Sequence, residues 1–105
     1  MTALLPDDTL AEHLRECLME LLAARGPGRS ICPSEVARLL GQRKGWRWQD
    51  LMRPLRTVAA ALAEIGLIEA TQHERVVDIR DVRGPVRLRQ RTLGSLVARR
   101  RERVA

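Results

Sequence analysis

The sequence has no phenylalanine and no tyrosine, and Trp46 and Trp48 are its only residues of the Phe, Tyr and Trp class. Its core must therefore be aliphatic, with Leu, Val, Ile, Ala and Met filling the volume that rings usually fill. Two cysteines, Cys17 and Cys32, are too few for a disulfide framework, and a reducing, cytoplasmic setting is the expectation. No apolar run approaches the roughly 18 residues that a membrane span needs, so no membrane partner is expected. The start, "MTALLPDD", lacks both a basic stretch and a long apolar stretch, which argues against a secretory signal. A Gly-rich phosphate loop, a serine nucleophile motif and a paired-carboxylate pattern are all missing, so no enzyme activity and no cofactor are expected. His13 and Cys17 lie one helical turn apart, but a closed zinc site takes about four ligands. Nothing in the spacing brings Cys32 and His73 to them, and no metal is expected.

What is present is arginine. Eighteen of the nineteen basic residues are Arg, and the net charge is +6. The charge is uneven: residues 1–28 sum to −3, 29–66 to +4, 67–79 to −2 and 80–105 to +7. Such polarity favours an anionic partner, and the planar guanidinium fork suits phosphate. An Arg- and Ala-rich composition is also what a GC-rich genome writes, so the charge alone leaves both readings open. At 105 residues the chain makes one domain, expected over 1–91, with an arginine-rich tail or short helix over 92–105.

Hydrophobic spacing orders the elements. Leu10, Leu14, Leu18 and Leu21 predict a helix over about 9–25, with Thr9 and Glu12 as a capping box and Gly26-Pro27-Gly28 as its stop. Arg29 to Ile31 reads as a short extended piece. Pro33 then opens a short helix with Val36, Leu39 and Leu40 inward and Gly41 as a left-handed cap. A basic turn, "GQRKGW", leads to a third helix from about Trp48 to Ile65. Leu51, Leu55, Val58, Ala59, Leu62 and Ile65 share its apolar face, and Gln49, Arg53, Arg56, Thr57, Ala60 and Glu64 its outward face. Pro54 predicts an irregular start. "LIEATQ" and "RVVDIR" are short strand-like runs around His73-Glu74-Arg75, which has no Gly, so a longer or irregular turn is expected. Gly84-Pro85 marks a turn, and Val86 and Leu88 alternate with Arg87 and Arg89 in a half-buried extended segment. Leu93, Leu96 and Val97 give the tail a weak helical stripe.

This order, mainly α with a small β-hairpin, is that of a winged helix-turn-helix: three helices and a two- or three-stranded wing sheet. The third helix would enter the major groove, with "HER" at the wing tip. Arg53 and Arg56 suit guanine edges or phosphates, Gln49 suits adenine, and Thr57 stands beside them. Arg38, Arg43 and Lys44 near the turn, Arg75 on the wing, and Arg99, Arg100, Arg101 and Arg103 in the tail suit phosphate contacts. Trp48, Leu51, Leu55, Leu62, Gly84 and Pro85 read as structural.

The runs "WQDLMRPLRTVAAALAEIGLIEATQ", "VVD", "RGPVRLR" and "ICPSEVARLL" resemble the bacterial domain-of-unknown-function family numbered thirty-two fifty-three. The resemblance covers roughly 10–89 and implies a compact winged-helix fold, without implying an activity. Trp48, Leu51, Met52, Arg56, Thr71, Gln72, Asp78, Gly84, Pro85, Arg87 and Arg89 fall on its pattern. "HER" departs from it, since a Gly is usual there.

Two functions stand side by side. One is binding of double-stranded DNA through the third helix, wing and tail. The other is a protein–protein interaction module, or a homodimer, without nucleic acid. Trp48 reads as a packing anchor, while Trp46, in the turn, is open to stacking or interface roles. For Thr71, Gln72, Asp78, Arg87 and Arg89 the structural reading is an Asp–Arg pair tying the last strand to the hairpin. The functional one is a small polar groove.

Overall fold

The computed structural model describes residues 5–91. The Leu93–Val97 stripe and the tail arginines lie outside them. The elements run α1 (Leu5–Arg25), β1 (Ser30–Ile31), α2 (Pro33–Lys44), a 3-10 turn (Trp48–Leu51), α3 (Met52–Glu64), β2 (Ile68–Gln72), β3 (Arg75–Val77) and β4 (Arg87–Gln90). The chain is thus mainly helical with a small antiparallel sheet, as a winged helix requires.

Leucine spacing along α1 buries Leu14, Leu18 and Leu22 with Cys17. The helix starts at Leu5 rather than at the expected Thr9 cap. Helix α2 opens on Pro33, and the Glu35 carboxylate accepts the Cys32 N–H at 2.8 Å, satisfying a donor the helix cannot. The expectation that Gly41 ends this helix is overturned. The helix runs on to Lys44, and Gly45, at φ 73°, is the left-handed cap. Gly41 serves a different need: a Cβ on it would stand 2.8 Å from the Trp46 carbonyl oxygen, so only glycine lets the turn fold back over the helix. Trp46 N–H closes this turn on Gly41 O at 2.9 Å.

The irregular start expected around Pro54 takes the form of the 3-10 turn before α3. Pro54 then falls in the first turn of α3, where its missing N–H has no partner to lose. Leu51, Leu55, Ala59 and Leu62 face the core. Two residues exchange sides relative to expectation. Ala60, expected outward, is buried, and Ile65, expected inward, is 70% exposed because α3 ends just before it.

The sheet order is β1-β4-β2-β3, with every pair antiparallel. Ser30 pairs with Arg89 and Ala70 with Leu88, so β4 sits centrally between β1 and β2. The β2–β3 hairpin overturns the expected loose turn. Gln72 pairs directly with Arg75, leaving His73 (φ 51°) and Glu74 (φ 67°) as a two-residue connection. Both φ values are positive, as in a type I′ turn, which matches strand twist without needing glycine when strand pairing holds it. After β3 the chain crosses residues 78–86 before returning as β4. This segment, not "HER" alone, makes the connection between β2 and β4, and it lies over α3.

Candidate nucleic-acid interface

The outward face of α3 is built in two halves. On one half, Arg56 Nη2 donates to the carbonyls of Ile79 and Val82, both at 3.2 Å, and Nη1 to that of Gly84 at 3.5 Å. Arg80 pairs with Glu64 at 3.2 Å. Ile79 is buried, and Val82 packs against the core beside it. Residues 78–84 therefore form a strap over the Arg56, Ala60 and Glu64 stripe, whose members recur every four residues along α3. Arg56 is not presented to solvent as expected. Its guanidinium holds backbone carbonyls that the irregular strap cannot pair with each other.

On the other half, Arg53 and Thr57 are exposed, as is Gln49 in the 3-10 turn that precedes α3. Thr57 Oγ1 leans back on the Arg53 carbonyl at 3.5 Å, a local contact that leaves it accessible. Among the described residues Arg53 makes no ion pair. Arg53, Arg56, Thr57, Arg80 and Val82 line a groove of about 410 Å³ between α3 and the strap. Three arginines thus line one concave surface; Arg56 is engaged with strap carbonyls and Arg80 with Glu64, while Arg53 makes no ion pair among the described residues.

The basic residues around the α2–α3 turn divide similarly. Arg43 grips Glu20 of α1 through two hydrogen bonds, of 3.0 and 2.7 Å, which lower the Glu20 carboxyl below its ordinary value and raise Arg43 above its own. Arg43 therefore joins α2 to α1, where a free phosphate contact was expected. Arg38 places its guanidinium 4.5 Å from the centre of the Trp48 ring. Trp48 is half-buried and packs against the core, in keeping with an anchor, while Leu51, Leu55 and Leu62 lie within that core. Trp46 is 42% exposed and meets His13 of α1 edge-on, with ring centres 6.1 Å apart. Lys44 and Arg75 are exposed, and neither forms an ion pair among the described residues.

The polar residues of the C-terminal half prove to be fasteners, with partners other than those expected. Asp78 accepts the Arg80 N–H at 2.9 Å instead of pairing with Arg87 or Arg89. Gln72 Nε2 donates to the carbonyls of Arg83 (2.8 Å) and Pro85 (3.2 Å), fixing the Gly84-Pro85 turn. Arg87 donates to Ser30 Oγ at 2.6 Å and to its carbonyl at 3.1 Å. Arg89 pairs with Glu69 at 3.0 Å across the β2–β4 register, and the Glu69 side chain is only 1% exposed. Sequence reading passed over Glu69, Arg80 and Glu64 as participants. Alternation marks Glu69 as facing away from Ile68 and Ala70, but nothing local signals that it is covered. Among the described residues no three His, Cys, Asp or Glu side chains stand close enough to share a metal ion. No described helix is long and apolar enough to cross a membrane.

In comparison with known families, the profile described as "Protein of unknown function (DUF3253)" matches residues 11–91. No match was found among curated proteins.

Proposed function

The chain belongs to the DUF3253 family, described as a protein of unknown function, and from its site geometry we propose that it binds double-stranded DNA without catalysing a reaction. The observation that carries this reading is the arginine-bordered groove beside the exposed half of α3. A winged helix offers its third helix to the major groove, and here Arg53 and Thr57 occupy the open side of that element, with Gln49 on the 3-10 turn leading into it. Arg53 serves phosphates at the groove, Gln49 and Thr57 reach base edges, and Lys44 and Arg75 extend the phosphate contacts to the turn and hairpin. The tail arginines Arg99, Arg100, Arg101 and Arg103 add charge to the same chain. Arg56 and Arg43 act indirectly, by holding the strap and the α1–α2 junction.

The rival reading, a protein-binding module, draws support from the strap, which narrows the face α3 can offer. Salt dependence separates the two. Titration of a labelled duplex at several salt concentrations is expected to give a steep fall of affinity with salt. The Lys44→Ala, Arg53→Ala double variant should flatten the log–log slope by about two, one unit per lost phosphate contact. Affinity indifferent to salt and to these changes would transfer the case to the rival.

A further inference from the structure

On the side of α3 away from the strap, apolar side chains are left open by the described residues. Ile65 is 70% exposed and Leu67 47%. With Val58 and Ala61 they border a groove of about 620 Å³ between α1 and α3, and Glu12 and Arg15 of α1 stand at its edge. Neither Glu12 nor Arg15 makes an ion pair among the described residues. This surface therefore combines a concavity, a projecting apolar plug at its rim, and one acid and one base three residues apart on the same helix.

That combination is self-complementary. A two-fold contact is isologous, so one patch must supply both the hole and what fills it, and each charge must find its opposite across the axis. Here Ile65 can fill the groove of a second copy while Glu12 of one copy meets Arg15 of the other. A partner of one charge sign would leave either Glu12 or Arg15 facing its like. We propose that the α1–α3 face is the contact of a symmetric homodimer, with Ile65 and Leu67 at its centre and reciprocal Glu12–Arg15 pairs at its rim. Burial of exposed aliphatic surface drives the association, and the rim charges set the register.

Under the DNA reading, on which the dimer itself does not rest, the contact also sets a spacing. Arg53 lies about 18 Å along the α3 axis from Ile65. A two-fold axis near Ile65 carries the two Arg53 side chains apart by up to about 36 Å, which is one turn of B-form DNA.

The test is sedimentation equilibrium of the full chain, without nucleic acid, over about a hundredfold range of concentration. A monomer–dimer equilibrium is expected, weakened about tenfold or more by Ile65→Asp, since burying a charge at the centre removes the apolar contact. Circular dichroism melts of the same variant at the lowest concentration should match the parent, because Ile65 is exposed in the monomer. Glu12→Arg should weaken the dimer and the Glu12→Arg, Arg15→Glu double reversal restore it. A monomer at every concentration overturns the proposal, as does self-association that ignores Ile65→Asp. Because the Leu67 N–H is held by the Leu62 carbonyl in the monomer, cover is read at the side chains: protection of Ile65 and Leu67 from hydroxyl-radical oxidation that does not change with concentration would show cover from within the same chain, residues 92–105 included, and overturns it too. Since no duplex is present, failure here and failure of DNA binding are read separately.

Discussion

The Arg56 guanidinium stands 3.2 Å from the Ile79 carbonyl oxygen, joining the middle of α3 to the strap between β3 and β4. The same group reaches two further carbonyls of that strap, so one side chain satisfies three acceptors in a segment without regular structure. Removing it strands those acceptors. Arg56→Ala is expected to cost on the order of 1–3 kcal/mol, by the penalty for unpaired, partly buried polar groups. Hydrogen exchange over residues 78–84 should quicken. Arg56→Lys should recover little, because an ammonium cannot spread its donors over three carbonyls as the planar fork does.

The His73-Glu74 turn holds two non-glycine residues at positive φ. A left-handed conformation costs an L-residue roughly 1–2 kcal/mol, least for Asn and essentially nothing for Gly. The double change His73→Asn, Glu74→Gly should therefore stabilise the protein by about 1 kcal/mol, a gain of roughly 4–8 °C in melting temperature. An unchanged or lower melting temperature would contradict the assigned turn.

Gly41 and Gly45 separate space from conformation. At Gly41 an added methyl meets the Trp46 carbonyl at 2.8 Å, while at Gly45 it meets nothing within 4 Å. Gly41→Ala should destabilise by about 1–3 kcal/mol through overpacking. Its effect should reach Trp46 fluorescence, since the turn must lift. Gly45→Ala should cost about 1 kcal/mol from its left-handed φ alone, with the tryptophan spectrum unchanged. Urea melts followed by both circular dichroism and fluorescence distinguish the two.

Acid should weaken the fold through Glu35. Its carboxylate accepts the Cys32 N–H and an Arg25 N–H, and these hold its pKa below the ordinary value of 4.5. Because the folded pKa is the lower one, the stabilisation is complete above 4.5 and is lost as pH falls from there through the folded value. Glu20, lowered by Arg43, adds a smaller contribution with the same sign, since that pair is solvent-exposed. Glu35→Gln should be less stable than the parent near neutrality and show a flatter decline below pH 4.5 in urea melts. A parallel decline in both proteins would assign the acid sensitivity elsewhere.

Cys17 and Cys32 should differ in labelling. Cys17 is 2% exposed, its thiol points to the Val36 carbonyl at 3.8 Å, and burial raises its pKa. A thiol reagent should modify Cys32 first in the native protein and reach Cys17 only upon unfolding. Mass spectrometry of partly labelled protein reads the order directly.

Local patterns carried much of the fold. The leucine spacing of α1, the Leu51, Leu55 and Leu62 stripe, the Pro54 irregularity and the alternation around Leu88 each depend on residues within about three helical turns or one strand. Their order along the chain was enough to indicate a winged helix. The fate of individual arginines was not legible in this way. Arg53 and Arg56 differ by less than one helical turn and looked equivalent, yet one is exposed and the other is bound to carbonyls 23–28 residues away. Ala60 is buried for the same kind of reason, Ile65 is exposed because α3 ends just before it, and Gly41 became an interior contact because a turn folds back over it. A helical period reports which side chains share a face, but it is silent about what crosses that face. The strap's path over α3 follows from β4 inserting between β1 and β2, a pairing of distant segments that no short window of residues encodes.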